Sequence, residues 1–483
     1  MDKSLKKYKS LPVQVKASLW FFICSFLQKG ISTITTPIFT RLLNTAEYGQ
    51  YNVFNSWFGI ISIFVALRLS MGVYAQGLVK FEEERDRFSS SLQGLTLTLC
   101  CSWTIVYIVF HNYINSLLKL TTVQMLALLL MVWSSAVFEF WAAEKRVTYN
   151  YKSLVFLTLI VSLAKPIVEI IFVLHAEDKV TARILGLALV ELVGYCFLFF
   201  DQMQRGKQFF SSRFWIYALK FNLPLIPHYL SMTVLNNSDR IMIGSMIGES
   251  KAGIYSLAYS IAMIMTLINT SLSSTISPWM YQKIKANRVQ DISKIAYITL
   301  LIIAIANIIL IAFAPEAVTL FAPKDYHDAI YCVPPVALSV FFMFMYDLFA
   351  KFEFYYEKTQ YIMVASMAGA ITNIVLNYIC IKTFGYIAAA YTTLVCYILF
   401  DIMHYKFMRR VCKEHLNNVK VYNVKIIVMM SITFAALGFA YLATYKYIAA
   451  RYGLTAMLFV LAIWKRKLIT EKIKEILAVR KKN

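Results

Sequence analysis

A chain of 483 residues that is 59% hydrophobic, with a mean hydropathy of +0.61, is too apolar for a water-soluble domain and long enough for many membrane spans. Its net charge of +22 comes without zinc-finger spacing, an RNA-binding sheet motif or a basic recognition helix, which argues against nucleic acid as a partner. No GxxxxGK[ST] sequence occurs, the six histidines form no HxxxH pair and the eight cysteines no CxxC, so neither ATP hydrolysis nor a zinc centre is encoded.

Apolar runs long enough to cross hydrocarbon begin near Lys16, Tyr48, Phe88, Thr121, Tyr151, Val180, Ile216, Ala252, Ile292, Ala329, Gln360, Tyr386, Tyr422 and Tyr447. They predict an all-α polytopic membrane protein of about fourteen helices. The first run contains Lys29 and lacks a small-residue cleavage site, so it reads as a retained span. With the N-terminus cytoplasmic, about 34 of the 48 Lys and Arg residues fall on cytoplasmic tails and loops, about nine outside and about five within spans. That bias predicts both termini inside and turns the net charge into a positive-inside signal. The C-terminal "WKRKLITEKIKEILAVRKKN" reads as an interfacial basic helix. The longest cytoplasmic loop runs only from Arg409 to Lys425, and the outer segment around "APEAVTLFAPKDYHD" is short. Neither can house a catalytic domain, and an enzyme is not expected.

Pro37, Pro166, Pro224, Pro227 and the Pro334-Pro335 pair predict bends within spans. Gly244 and Gly248 form a GxxxG spacing suited to close helix contact. Phe344, Tyr346, Phe349, Phe352, Phe354, Tyr355 and Tyr356 cluster near one helix end, where they could stack on sugar rings, although interfacial belts use the same residue types.

An internal repeat organises the spans. Setting "RLLNTAEYGQYNVF" beside "SMIGESKAGIYSLA" puts Gly49 on Gly253 and Tyr51 on Tyr255, about 204 residues apart. Six spans precede the basic linker "DQMQRGKQFFSSRF" and six follow it, so the halves share one orientation, as parallel repeats do. The expected parts are an N-terminal six-helix lobe with its linker (1–213), a C-terminal six-helix lobe (214–412), and two additional helices with a basic tail (413–483).

The combination of "TPIFTRLLNTAEYGQYNVF", "NNSDRIMIGSMIGESKAGIYSLAYSIAMI" and "ITNIVLNYICIKTFGYIAAAYTTL" resembles the bacterial polysaccharide flippases of the Wzx type, within the multidrug/oligosaccharidyl-lipid/polysaccharide exporter superfamily. The resemblance spans most of residues 1–412. It implies two six-helix lobes and alternating-access movement of undecaprenyl-diphosphate-linked oligosaccharide repeat units to the outer leaflet, in making surface polysaccharide such as O-antigen, capsule or exopolysaccharide. It also implies the bacterial cytoplasmic (inner) membrane, and a polysaccharide polymerase and assembly proteins as partners. Family members often carry a proline where this chain has Lys382-Thr383, and a glycine where it has Ala388, which bears on loop shape.

A diphosphate cannot cross hydrocarbon alone, so a carrier must supply buried cations. The candidates are Lys29, Arg68, Lys165, Lys220 and Arg240, with Arg41 at the outer end of the first span. Arg68 leads them, since a guanidinium holds a diphosphate bidentately and keeps its charge. Lys165 has a competing reading, an i, i+4 pair with Glu169. Asp239 and Arg240 point about 100° apart on a helix and serve different environments. For coupling to a sodium ion or protons, the candidates are Asp239, Asn373, Asn377 and Thr393 as hard oxygen ligands, and Glu139 as a proton carrier, with Glu169, Glu191, Asp347 and Asp401 as alternatives. No other cofactor is expected. A cation-driven exporter of drugs or small molecules on the same scaffold is the alternative; it calls for an acidic, aromatic cavity, whereas a diphosphate carrier calls for net positive charge.

Overall fold

The computed structural model describes residues 12–464. Among them there is no strand, and the helices are α1 (Val13–Leu42), α2 (Thr45–Ala66), α3 (Val73–Lys80), α4 (Arg85–Leu118), α5 (Thr122–Val147), α6 (Tyr151–Leu174), α7 (Lys179–Gly206), α8 (Ser212–Asn222), α9 (Ile226–Met246), α10 (Glu249–Met263), α11 (Thr266–Lys285), α12 (Gln290–Ala312), α13 (Ala314–Phe321), α14 (Val333–Tyr355), α15 (Thr359–Phe384), α16 (Ala388–His415), α17 (Val424–Ala443) and α18 (Ile448–Trp464). Nine helical stretches among the described residues are long and apolar enough to cross a membrane, with α10 and α11 counted as one. The protein is an all-α polytopic membrane protein. Exposed Ile105, Val109, Phe156, Val193 and Ile371 would be costly in water but are the ordinary outer surface of a bundle in lipid. Neither α2 nor α9 is among the nine. Gln50, Asn52 and Asn55 lie inside α2, and Asn236, Asn237, Asp239 and Arg240 inside α9, which marks both as helices with a face kept from lipid.

The chain divides into two compact units, Met1–Gly244 and Ser245–Asn483. In the first, antiparallel helices joined by short turns pack in pairs, with α6 on α7 and α5 on α7 the broadest contacts. Caps fix where these helices start. Asn44 accepts from the Ala46 and Glu47 amides while Glu47 returns a bond to the Asn44 amide, and Thr121 and Gln124 do the same for α5. At the opposite end of this unit Glu144 accepts from Gln202 at 2.7 Å and Arg205 at 3.0 Å, and Arg205 also reaches Asp86 at 2.6 Å. In the second unit α14 is the central helix, with Val336, Ala337, Leu338, Val340 and Phe341 wholly buried.

The repeat is visible in the helices themselves. Gly49 and Gly253 are each the fifth residue of their helix, α2 and α10, and Tyr51 and Tyr255 each the seventh. Both tyrosines are buried.

Several local expectations need correction. Pro334 and Pro335 open α14 instead of bending it, at positions whose amides have no helical partner to lose. Pro224 falls in the short turn between α8 and α9, while Pro37 and Pro166 do lie inside α1 and α6. Gly248 is not on the helix of Gly244: α9 ends at Met246, and Gly248 turns the chain into α10 with φ of 135°, a region that favours glycine. Phe344, Phe349 and Phe352 are buried in the packing around α14 and cannot stack on a sugar. The basic C-terminal segment beyond residue 464 lies outside the described residues.

Candidate functional site

Arg68 does not sit inside a continuous span. Helix α2 stops at Ala66, and Leu67 and Arg68 both adopt left-handed backbone, with φ of 51° and 49°. The helix resumes as α3 only after Gly72. Such a break leaves carbonyls that hydrocarbon cannot satisfy. Here Asn222, buried at the end of α8, donates its side-chain amide to Leu67 O at 2.8 Å and Arg68 O at 2.7 Å.

The arginine head then faces α5. Its Nη1 lies 3.6 Å from Glu139 Oε1, and Ser70 donates to Glu139 Oε2. Arg68, Ser70, Ser135 and Glu139, with Gly59 and Ser62 of α2, line a cavity of about 130 Å³. Ion pair and cavity lie about 12 Å of helix from the Val147 end of α5. Neither partner is sealed, since the side chains keep 26% and 39% of their surface, so the guanidinium remains open to an incoming anion.

Lys165 is not paired with Glu169. It meets Glu191 at 2.7 Å, whose other oxygen accepts from Ser135 at 2.9 Å. Glu169 meets Arg183 at 2.9 Å, and the Arg183 guanidinium lies 3.5 Å from the ring centroids of both Phe39 and Tyr51. Both are pairs across the α6–α7 hairpin, which separates Lys165 and Glu169 on one arm from Arg183 and Glu191 on the other. Sequence reasoning missed Arg183 and Asn222. For Arg183 the signal was available: residue 169 lies six residues before the turn at 175–178 and residue 183 five after it, which brings them close when the hairpin closes.

On α1, Ser25, Lys29, Ser32 and Thr36 fall within about 60° of one another. The first three are exposed and Thr36 partly so, while Cys24, Gln28, Thr35 and Phe39 turn toward the bundle and Ile34 and Ile38 point elsewhere. Among the described residues no acid pairs with Lys29. A polar stripe along a membrane helix belongs against water rather than lipid. Arg41 is exposed at the end of α1, with Nη1 donating to Pro37 O at 2.8 Å. Lys220 is exposed in the last turn of α8, two residues before Asn222. Asp239 and Arg240 do occupy different environments: Asp239 is buried, whereas Arg240 is partly exposed and donates to Asn236 O at 2.9 Å.

In the second unit Asn373 and Asn377 are wholly buried on α15, with Asn377 Nδ2 donating to Asn373 Oδ1 at 3.2 Å. Thr392 of α16 donates to Asn377 Oδ1. Thr393, also buried, donates to Ala389 O of its own helix at 2.9 Å. Among the described residues no three His, Cys, Asp or Glu side chains are placed to hold a metal ion.

Residues 15–284 match a family model described as polysaccharide biosynthesis protein, and residues 224–379 one described as MatE. The chain is 21% identical over 379 residues to the Lsg locus putative protein 1 of Haemophilus influenzae, covering 74% of this chain and 88% of that protein. It is 22% identical over 406 residues to an uncharacterized membrane protein of Methanocaldococcus jannaschii, covering 79% and 94%. Its fold is shared with the lipid II flippase MurJ in an inward closed conformation, with a TM-score of 0.69 at 16% identity over 93% of this chain and 99% of that one. It is also similar to a multidrug resistance MATE family transporter in its inward-facing conformation, with a TM-score of 0.62 at 13% identity over 80% and 95%.

Proposed function

Because the chain belongs to the polysaccharide biosynthesis protein family, we propose that it is a flippase. In this reading it carries an undecaprenyl-diphosphate-linked oligosaccharide from the cytoplasmic to the outer leaflet by alternating access, for surface polysaccharide assembly. It resides in the bacterial inner membrane with both termini cytoplasmic, as the distribution of Lys and Arg supports, and hands its product to a polymerase and assembly proteins.

The observation that carries the reading is the charge of the first unit once its pairs are drawn. Glu139, Glu169 and Glu191 are each matched by Arg68, Arg183 and Lys165, and Lys29 is left over on the polar stripe of α1. A set of charges in that balance, with Lys29 in surplus, suits a diphosphate better than an organic cation. Arg68 is the primary headgroup contact, Lys29 and Arg240 follow the headgroup as it moves, and Arg41 and Lys220 attract it at the two ends. Lys165, held by Glu191, sets the field behind the cavity. Movement is coupled to a sodium ion or protons: in the first unit Asp239 supplies oxygens and Glu139 an acid that can be freed from Arg68, and in the second Asn373, Asn377 and Thr393 supply oxygens.

The test is transbilayer movement of an undecaprenyl-diphosphate oligosaccharide in proteoliposomes, for the wild type and an Arg68→Ala, Lys29→Ala double variant. Movement that depends on the protein and is lost in the variant is expected. A wild type that moves no lipid-linked sugar under any ion gradient, yet exports small organic cations, would overturn the reading in favour of an exporter.

A further inference from the structure

The second unit holds a titratable pair that the headgroup chemistry does not use. Helices α14 and α16 form the most extensive helix contact among the described residues. Within it, in the last turn of α14, His404 Nδ1 lies 2.9 Å from Glu353 Oε1. The side chains expose 1% and 0% of their surface. The second polar atom of each, Glu353 Oε2 and His404 Nε2, is buried without a protein partner. Asp401, three residues before His404 on the same face of α16, is also buried, with Oδ1 unpartnered. Two aromatic rings close the site: Tyr346 stacks on His404 at 5.3 Å and Phe400 meets it edge-on at 4.5 Å.

The surrounding helices bring no charge that would settle the pair in one state. On α14, Asp347 is held by Lys351 and accepts from Ser273 of α11. Lys283 of α11 pairs with Asp291 of α12. Lys251 of α10 pairs with Asp328 of the 3-10 turn ahead of α14. Lys382 of α15 and Lys425 of α17 are exposed. Tyr346, Tyr397 and Tyr422 are the nearby hydroxyls.

We propose that Glu353 and His404 form a proton-binding site through which the second unit takes a proton from water on one side of the membrane and releases it on the other. The physics is that of a buried carboxylate and imidazole sharing one proton. With that proton between them, the pair is net neutral and tolerates a dry, aromatic-lined site. Without it, a carboxylate faces a neutral ring and the site must admit water. The protonation state is thereby tied to whether α14 and α16 are closed on the pair. Balance is simple: one proton is bound at Oε or Nδ1 and the same proton is lost, with no other bond changed. This site is separate from the oxygens of Asn373, Asn377 and Thr392. Its proton binding does not depend on which solute the protein carries.

The test is a proton count on purified full-length protein in detergent, moved between pH 8 and pH 5, with infrared detection of a protonated buried carboxyl. The expected result is loss of about one proton equivalent in Glu353→Gln relative to wild type. The carboxyl band should be absent in that variant and displaced in His404→Gln. Glutamine at 353 keeps an acceptor for the imidazole N–H, so the fold is preserved. Equal proton uptake in all three proteins would overturn the proposal. So would a wild-type carboxyl spectrum that does not change over this range, a result that needs no variant.

Discussion

Glu139→Gln isolates what the acid does beside Arg68. At 3.6 Å and an effective dielectric of about 20, the attraction between the two charges is about 4–5 kcal/mol. Both side chains keep a quarter or more of their surface, so screening and desolvation reduce the net value to about 1 kcal/mol. Glutamine preserves the volume and can still accept from Ser70, so the charge is the main thing removed. A diphosphate that must displace Glu139 from the guanidinium then binds about fivefold more tightly in the variant. The assay is equilibrium binding of a short-chain isoprenyl diphosphate to purified full-length protein at low and moderate ionic strength, with Arg68→Ala as the counterpart that loses affinity. Unchanged or weaker binding by Glu139→Gln would refute the reasoning, because the acid would then not be competing for that arginine.

Asn222→Ala strands the Leu67 carbonyl and leaves Arg68 O with the Met71 amide alone; it should lower stability by about 1–3 kcal/mol, read as a fall in melting temperature, and remove Arg68-dependent binding with it. Glu191→Ala leaves a partly buried Lys165 without its carboxylate and should cost about 1–3 kcal/mol; adding Lys165→Met should restore most of the loss, and a single variant that melts like wild type would show that the pair is not structural. A Cβ on Gly94 would lie 2.2 Å from the Phe209 carbonyl oxygen, so Gly94→Val should destabilise by about 1–3 kcal/mol or more. Gly30→Ala, whose Cβ meets nothing within 4 Å, should leave the melting temperature unchanged or slightly higher.

The helices were legible because hydrocarbon leaves the backbone little other choice, and apolar runs such as Tyr151 to Leu174 announce themselves. The partners of the charges were less so. An i, i+4 rule pairs Lys165 with Glu169, but both look across the hairpin to α7, where Glu191 and Arg183 are better placed and largely buried. Local spacing cannot weigh that competition; folding the hairpin on paper would have. The left-handed backbone at Leu67 and Arg68 had no sequence signal, since neither is glycine or asparagine, and the donor to the Leu67 carbonyl, Asn222, lies far along the chain. Thr392 as a donor to Asn377 is a matter of one residue's turn of α16, below what a pattern of apolar positions resolves. The Glu353–His404 pair was hidden for a plain reason: its members sit 51 residues apart on separate helices, and each looks solitary in its own run.

The bond from Asn222 to Arg68 spans 154 residues, and that distance has a meaning in time. At about 5–20 residues per second of synthesis, the segment after α2 enters the membrane roughly 8–30 seconds before its missing donor exists. Throughout that interval the Leu67 carbonyl must borrow water or remain at the bilayer surface, while Arg68 O has only the Met71 amide. The nascent first unit therefore cannot seat Arg68 until α8 has emerged. A ribosome-bound chain stopped short of Asn222 should leave the Leu67–Gly72 segment open to protease, and one extended past it should not.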